Sequence, residues 1–220
     1  MPGTLYVVST PIGNLDDITF RAVETLKAVD LIAAEDTRHT KILLDKYQIS
    51  KPMTSYFEYN KVQKTDYILK LLLEGRTIAL VSDAGTPGIS DPGYRVIRAC
   101  IDNGVSVVPI PGPAGFLTAL SVSGKPTDKF TFEGFLSNKS TKRKNQLKKL
   151  KEEGRTAIIY ESPHRILKLL EDILEVYGDV DIVLAREMTK KFEELIRAKA
   201  SEALNCLKNR QIRGEFMVII

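Results

Sequence analysis

A chain of 220 residues with 43% hydrophobic and 27% charged residues has room for one large or two modest domains, and its composition excludes a disordered or fibrous polymer. Its two cysteines, Cys100 and Cys206, form no C-x-x-C pair and its two histidines are scattered, which argues against a disulfide framework and against a bound metal. The net charge of +4 is modest, no apolar run approaches bilayer length, and the opening MPGTLYVVSTPIGN has no signal-peptide pattern, so a cytoplasmic protein that does not enter a membrane is expected.

The first half alternates short apolar runs with amphipathic stretches, which predicts a mostly parallel sheet flanked by helices. Strands are expected over Thr4–Ser9, Asp30–Ala34, Thr77–Ser82 and Ser106–Ile110, and helices over Ile18–Ala28, Thr65–Leu73 and Tyr94–Asn103. Gly75 and Gly104 follow two of those helices as stop signals. Turn chemistry gathers behind the strands: Pro11-Ile12-Gly13-Asn14 after the first, Asp83 to Gly88 after the third, Pro111-Gly112-Pro113 after the fourth. Open α/β sheets bind ligands at that edge.

Val81 to Gly93 is the densest signal in the chain, VSDAGTPGISDPG. Small residues let backbone groups approach a ligand and proline stiffens the loop, and the stretch is long for a mere turn. Neither G-x-G-x-x-G nor G-x-x-x-x-G-K-[ST] occurs, so dinucleotide and Walker-type phosphate binding lose support. Glu35-Asp36-Thr37-Arg38 follows the second strand and has two readings. The carboxylates can accept a hydroxyl proton and the guanidinium can hold a phosphate, or the segment is a capped helix start with Asp36 or Thr37 as N-cap.

A helix over Ala114–Val122 and the turn Ser123-Gly124-Lys125-Pro126 close the first domain, giving domains 1–122 and 123–220. The second, a mixed α/β unit, is expected to have strands at Phe130–Phe135, Thr156–Tyr160, Asp181–Arg186, Glu194–Ala198 and Phe216–Ile220. A helix runs from Thr141 and another from Pro163. His164, in the first turn of that helix with no partner in view, reads as structural or solvent-facing. Residues 1–122 carry 12 Lys and Arg against 13 Asp and Glu, and residues 123–220 carry 20 against 15, so the positive excess lies wholly in the second half. Much of it falls in Lys139–Lys151, which suits a polyanion such as RNA or, equally on charge alone, a solvated helix face.

Taken together, STPIGNLDDIT, AEDTRHT, SDAGTPGISDPG, PIPGPAG, FEGFL, ESPHRI, AREMTKKFEE and RGEF span nearly the whole chain. They resemble the tetrapyrrole methylase-like superfamily, the class III S-adenosylmethionine methyltransferases, and most closely its small-subunit ribosomal RNA (cytidine-2′-O-)-methyltransferase I family. The resemblance implies two α/β domains with S-adenosylmethionine in the cleft between them, a homodimer, and 2′-O-methylation of a cytidine ribose in the decoding region of 16S rRNA. It carries the cofactor site onto Pro11, Ile12 and Gly13, onto Asp83, Ala84, Gly85, Thr86, Pro87, Gly88 and Ile89, and onto Pro111, Gly112, Pro113 and Ala114. Tyr160, Arg186 and Gly214 are the expected contributions of the second domain. Two departures stand out: Ser137 occupies a place where family members often have proline, and many members continue beyond the last strand into a small helical tail.

Methyl transfer from a sulfonium is an in-line displacement, so the protein must chiefly position the acceptor oxygen and receive its proton. Asp36 or Glu35 is the expected acceptor, with Arg38 orienting a neighbouring phosphate. Lys139, Lys142, Arg143, Lys144 and Lys148 are the expected contacts to ribosomal RNA or the assembled small subunit. One alternative is methylation of a precorrin- or uroporphyrinogen-type tetrapyrrole, which gives the basic helix no purpose. Another is a non-catalytic ribosome-assembly factor with a vestigial cofactor pocket.

Overall fold

Runs of four or five apolar residues become the strands of a parallel sheet in the computed structural model, which describes residues 1–220. Contacts divide the chain into two units, Met1–Ala114 and Gly115–Ile220. The first holds β1 (Thr4–Val8), α1 (Phe20–Ala28), β2 (Leu31–Ala34), α2 (Thr37–Lys46), β3 (Met53–Ser55), α3 (Lys61–Leu73), β4 (Ile78–Val81), α4 (Tyr94–Asp102) and β5 (Ser106–Ile110). Every pairing is parallel and the order is β3-β2-β4-β1-β5, so β1 lies between two strands distant from it in sequence.

Both faces of this sheet are covered, which is why its strands read as continuous apolar runs. Along β4, Ile78 and Leu80 join a core with Leu5, Ile68, Leu72 and Val96. Ala79 and Val81 point the other way, into a core with Val8, Leu26, Ile32 and Leu44. Each fully buried aliphatic side chain contributes roughly 1.5–3 kcal/mol relative to its exposed state. α1 begins where Thr19 Oγ1 accepts the Ala22 N–H at 3.1 Å. α3 and α4 end just ahead of Gly75 and Gly104.

The second unit holds α5 (Gly115–Ser121), β6 (Phe130–Phe135), α6 (Ser140–Glu153), β7 (Thr156–Glu161), α7 (Ile166–Tyr177), β8 (Asp181–Arg186), β9 (Glu194–Lys199), α8 (Ala200–Lys208) and β10 (Phe216–Ile219). Its sheet has the order β6-β7-β10-β8-β9, parallel between β6 and β7 and antiparallel elsewhere. Leu147, Ile166, Leu169, Leu204 and Phe216 meet in one core beneath α6, α7 and α8. α5, which the sequence reading assigns to the first half, packs against β10.

Three elements escape the hydrophobic pattern. β3 is only three residues long with a single large apolar side chain, and is held by pairing to β2. α2 follows the capped-start alternative, with Asp36 as N-cap. α8 begins without a turn straight after β9, and its cap comes from elsewhere: Asp179 accepts the Ser201 N–H and hydroxyl, both at 2.9 Å. α7 starts at Ile166 rather than Pro163, because the Ser162 carbonyl closes a turn onto the Arg165 and Ile166 N–H groups. No helix is long and apolar enough to cross a membrane.

Candidate functional site

The order β4-β1-β5 brings together, at the carboxyl ends of these strands, the three glycine- and proline-rich loops of the first unit. Thr10 and Gly85 exchange both backbone hydrogen bonds, Thr10 N–H to Gly85 O at 2.9 Å and Gly85 N–H to Thr10 O at 3.0 Å. Ser9 Oγ lies 2.9 Å from Thr86 Oγ1, which also donates to Pro113 O at 3.3 Å. Thr86 thus ties its own loop to Ser9 just ahead of the Pro11–Gly13 segment and to Pro113 in the Pro111–Ala114 segment. Gly85 sits at φ +81°, a conformation that L side chains rarely adopt. A Cβ on Gly93 would stand 2.7 Å from Gly88 N, where only hydrogen fits, and one on Gly112 would press on Ser9 Cβ at 3.0 Å. Ala84, Ile89, Pro111 and Gly112 remain exposed on the outer surface of this knot, while Pro11, Gly85 and Pro87 are buried within it.

The carboxylates after β2 join the same edge. Asp83 N–H donates to Glu35 Oε2 at 3.2 Å and Asp36 N–H donates to Asp83 Oδ1 at 3.0 Å, a reciprocal link between the β2 and β4 loops. Burial pushes the Glu35 carboxyl above its ordinary range, aided by the nearby charges of Asp83 and Asp36 and opposed by the Asp83 N–H. Asp36 goes the other way: hydrogen bonds from the Arg38 side chain and backbone hold its carboxyl well below the usual carboxylate range. Arg38 Nε donates to Oδ1 at 3.1 Å and Nη2 to Oδ2 at 2.7 Å, so Asp36 is a cap and an arginine partner. As a proton acceptor near neutral pH, Glu35 is therefore the better placed of the two carboxylates. The fork to Asp36 uses two of the guanidinium's five N–H donors and leaves the rest for an anion.

In the second unit, Tyr160 closes β7 within an aromatic group. Phe116 stacks on Phe132 at 4.5 Å, and Phe132 meets the Tyr160 ring edge to face at 4.9 Å. Arg186 at the end of β8 is committed to its own unit, donating to Arg213 O at 2.6 Å and pairing with Glu194 at 3.3 Å. Gly214 has φ +87°, and a Cβ there would fall 2.4 Å from Glu187 Cγ. Around it, Glu187 Oε1 accepts the Glu215 N–H at 2.9 Å, and Lys190 bridges Glu187 and Glu215, each at 3.0 Å. The sequence marks AREMTKKFEE, RGEF and Tyr160 as segments, but that Lys190 joins Glu187 to Glu215 and that Phe116 and Phe132 pack beside Tyr160 depends on contacts between residues far apart in the chain.

The basic helix α6 corrects one expectation. Arg143, taken as a phosphate contact, is 2% exposed and pairs with the buried Asp172 of α7 at 2.6 Å. The helical period turns this one cation of the run inward, where Ser137 O and Asn138 O also accept from it at 3.3 and 3.5 Å. Lys144 is half-buried and pairs with Glu175. Lys139, Lys142, Lys148 and Lys149 face solvent. Ser137 uses its N–H to reach Gln146 Oε1 at 3.0 Å and its hydroxyl to accept the Lys139 N–H at 3.2 Å, so it ties down the entry to α6. Glu161 is buried and paired with Arg165 at 2.8 Å, and His164 is exposed.

Comparison with known proteins bears on this arrangement. The family model for tetrapyrrole (corrin/porphyrin) methylases matches residues 4–204. The chain is 49% identical to "Ribosomal RNA small subunit methyltransferase I" of Thermotoga maritima over 99% of its length and 98% of the relative's. It is 51% identical to the Escherichia coli O157:H7 protein of the same name, over 99% of this chain and 77% of that one. Among solved structures, the uroporphyrin-III C-methyltransferase from Thermus thermophilus complexed with S-adenosylhomocysteine superposes with a TM-score of 0.70 at 15% identity, covering 99% of this chain and 97% of that one.

Proposed function

Since the chain belongs to the tetrapyrrole (corrin/porphyrin) methylase family, we propose that it transfers a methyl group from S-adenosylmethionine to small-subunit ribosomal RNA, at the 2′-oxygen of a cytidine in the decoding region. The observation that carries this is the knot of loops at the ends of β4, β1 and β5, sealed by Ser9, Thr10, Gly85, Thr86 and Pro113, with Glu35 hydrogen-bonded into its edge. The names of relatives that match 99% of this chain support ribosomal RNA as the acceptor.

The residues fit such a cofactor. Close glycine packing at Gly88–Gly93 and Gly112–Ser9 draws the backbone of the loops together, and the small residues around it let a ligand approach that backbone closely. When bound, the cofactor supplies an already activated methyl carbon. The exposed residues Ala84, Ile89, Pro111 and Gly112 are proposed to hold it, with Tyr160, Arg186 and Gly214 as the second unit's share. Glu35 holds the hydroxyl proton: its raised affinity for protons makes it a stronger base than an ordinary carboxylate. Arg38, steadied by Asp36, steers the adjoining phosphate with its remaining donors. Lys139, Lys142 and Lys148 bind the RNA backbone, with Lys144 less available because of Glu175. Cytoplasmic location and a homodimer belong to the same proposal, as the RNA substrate and the family resemblance imply.

The test is to incubate the purified protein with methyl-labelled cofactor and small subunits from a strain lacking the enzyme, then map the label. Label on one cytidine ribose is the expected result. Label on a base, or transfer to uroporphyrinogen in place of RNA, overturns the reading, and a protein that binds no cofactor by calorimetry is the vestigial assembly factor instead.

A further inference from the structure

At the carboxyl end of β3 the chain makes a tight loop, Phe57–Asn60, whose aromatic side chains turn outward: Tyr59 is 94% exposed and Phe57 37%. The loop is firmly tied. Beneath it Tyr56 is 1% exposed, with its hydroxyl 3.3 Å from Thr65 Oγ1. Asn60 laces the loop shut, accepting the Phe57 N–H at 2.8 Å through Oδ1 and donating from Nδ2 to Ser55 O at 3.3 Å and Ser55 Oγ at 3.2 Å. The two rings stand edge to face, 6.4 Å apart at 67°, which leaves a face of Tyr59 open. Strand pairing sets the loop beside the Glu35 segment, since Ala34 pairs with Ser55 and the Tyr56 N–H donates to Ala34 O at 2.7 Å.

Charge around the loop is nearly balanced. Lys61 pairs with Glu58 and Arg38 with Asp36, which leaves Lys64, itself bonded to Thr54 Oγ1 at 2.8 Å, as the surplus cation. Beyond the spare donors of Arg38 such a surface offers little to grip phosphates, but two presented rings suit the faces of unstacked bases, and base–aromatic stacking is the usual means of holding single strands.

We propose that Phe57 and Tyr59 form a stacking platform for unpaired bases next to the reacting nucleotide, so that the enzyme takes its RNA single-stranded at that point. This rests on the RNA reading above. An edge beside Glu35 is where a flanking base must lie if Glu35 is to meet the ribose of its neighbour.

The chain contains no tryptophan, so Tyr59→Trp introduces a single indole at the platform. A short unstructured oligocytidine is expected to quench its emission, and the same strand annealed to its complement is not. Tyr59→Ala and Phe57→Ala are each expected to weaken oligocytidine binding about five-fold or more with the salt dependence unchanged, while Tyr59→Phe binds like the wild type. Indole emission unmoved at saturating strand, alanine variants that bind as well as the wild type, or a wild type that methylates small subunits yet binds no oligocytidine would each overturn the platform. So would a loss of binding that tracks dissociation into monomers in sedimentation, which would make the loop a contact between copies. Failure of the underlying function looks different: the unaltered protein then transfers no methyl to RNA at all.

Discussion

Glu35 and Asp36 stand next to each other after β2, yet burial governs one and an arginine governs the other. Glu35→Gln keeps the shape and can still accept the Asp83 N–H, so the expected outcome is loss of methyl transfer with cofactor affinity retained, read by single-turnover assay and calorimetry. The pH dependence follows from the direction of the shift. Because the folded protein raises the Glu35 pKa, the protonated form is the one the fold favours, and the stability it lends is complete below the unfolded value of 4.5 and lost as pH rises through the higher folded value. Turnover should therefore rise with pH as Glu35 ionises. Glu35→Gln should at the same time raise the melting temperature at neutral pH, and a melting temperature lowered by the change would contradict the burial argument. At Gly214, alanine meets Glu187 Cγ and an unfavourable φ together, and a drop in stability of about 1 kcal/mol or more is expected in urea titration.

Among the elements, α6 shows how a run of charge divides by helical geometry. Its inward cation, Arg143, is clamped by Asp172, with Ser140 Oγ donating to the same carboxylate at 3.0 Å. Removing one partner strands a buried charge, and Asp172→Asn is expected to cost about 3–5 kcal/mol in chemical denaturation. Replacing both with well-packed apolar residues, Arg143→Met with Asp172→Leu, should recover most of that loss; a double variant as unstable as the single would show that the pair holds more than itself together. The outward lysines answer differently. Charge reversal at Lys142 and Lys148 should weaken RNA binding and flatten its salt dependence while thermal stability and cofactor affinity hold, because these side chains face solvent and make no buried contact.

For the whole molecule, a ligand that binds only the folded chain stabilises it by mass action, about 2.7 kcal/mol at a hundredfold excess over its dissociation constant. S-adenosylmethionine should accordingly raise the melting temperature in a concentration-dependent way, and Gly112→Ala, whose Cβ would press on Ser9, should abolish most of that rise. A melting point indifferent to the cofactor would leave the loop knot without an occupant. The amino-acid sequence alone determined where most strands and helices lie, where the glycine- and proline-rich loops fall, and that the positive excess is in the second half, since periodicity, turn chemistry and charge are properties of neighbouring residues. It could not reveal β3, too short to have a period, nor α8, whose cap at Asp179 is remote in the chain. Only the tertiary structure decided that β1 lies between β4 and β5, that Arg143 is spent on Asp172, and that burial rather than charge pairing sets the proton affinity of Glu35. Each of these depends on desolvation or contact between segments far apart in sequence, which local pattern does not encode.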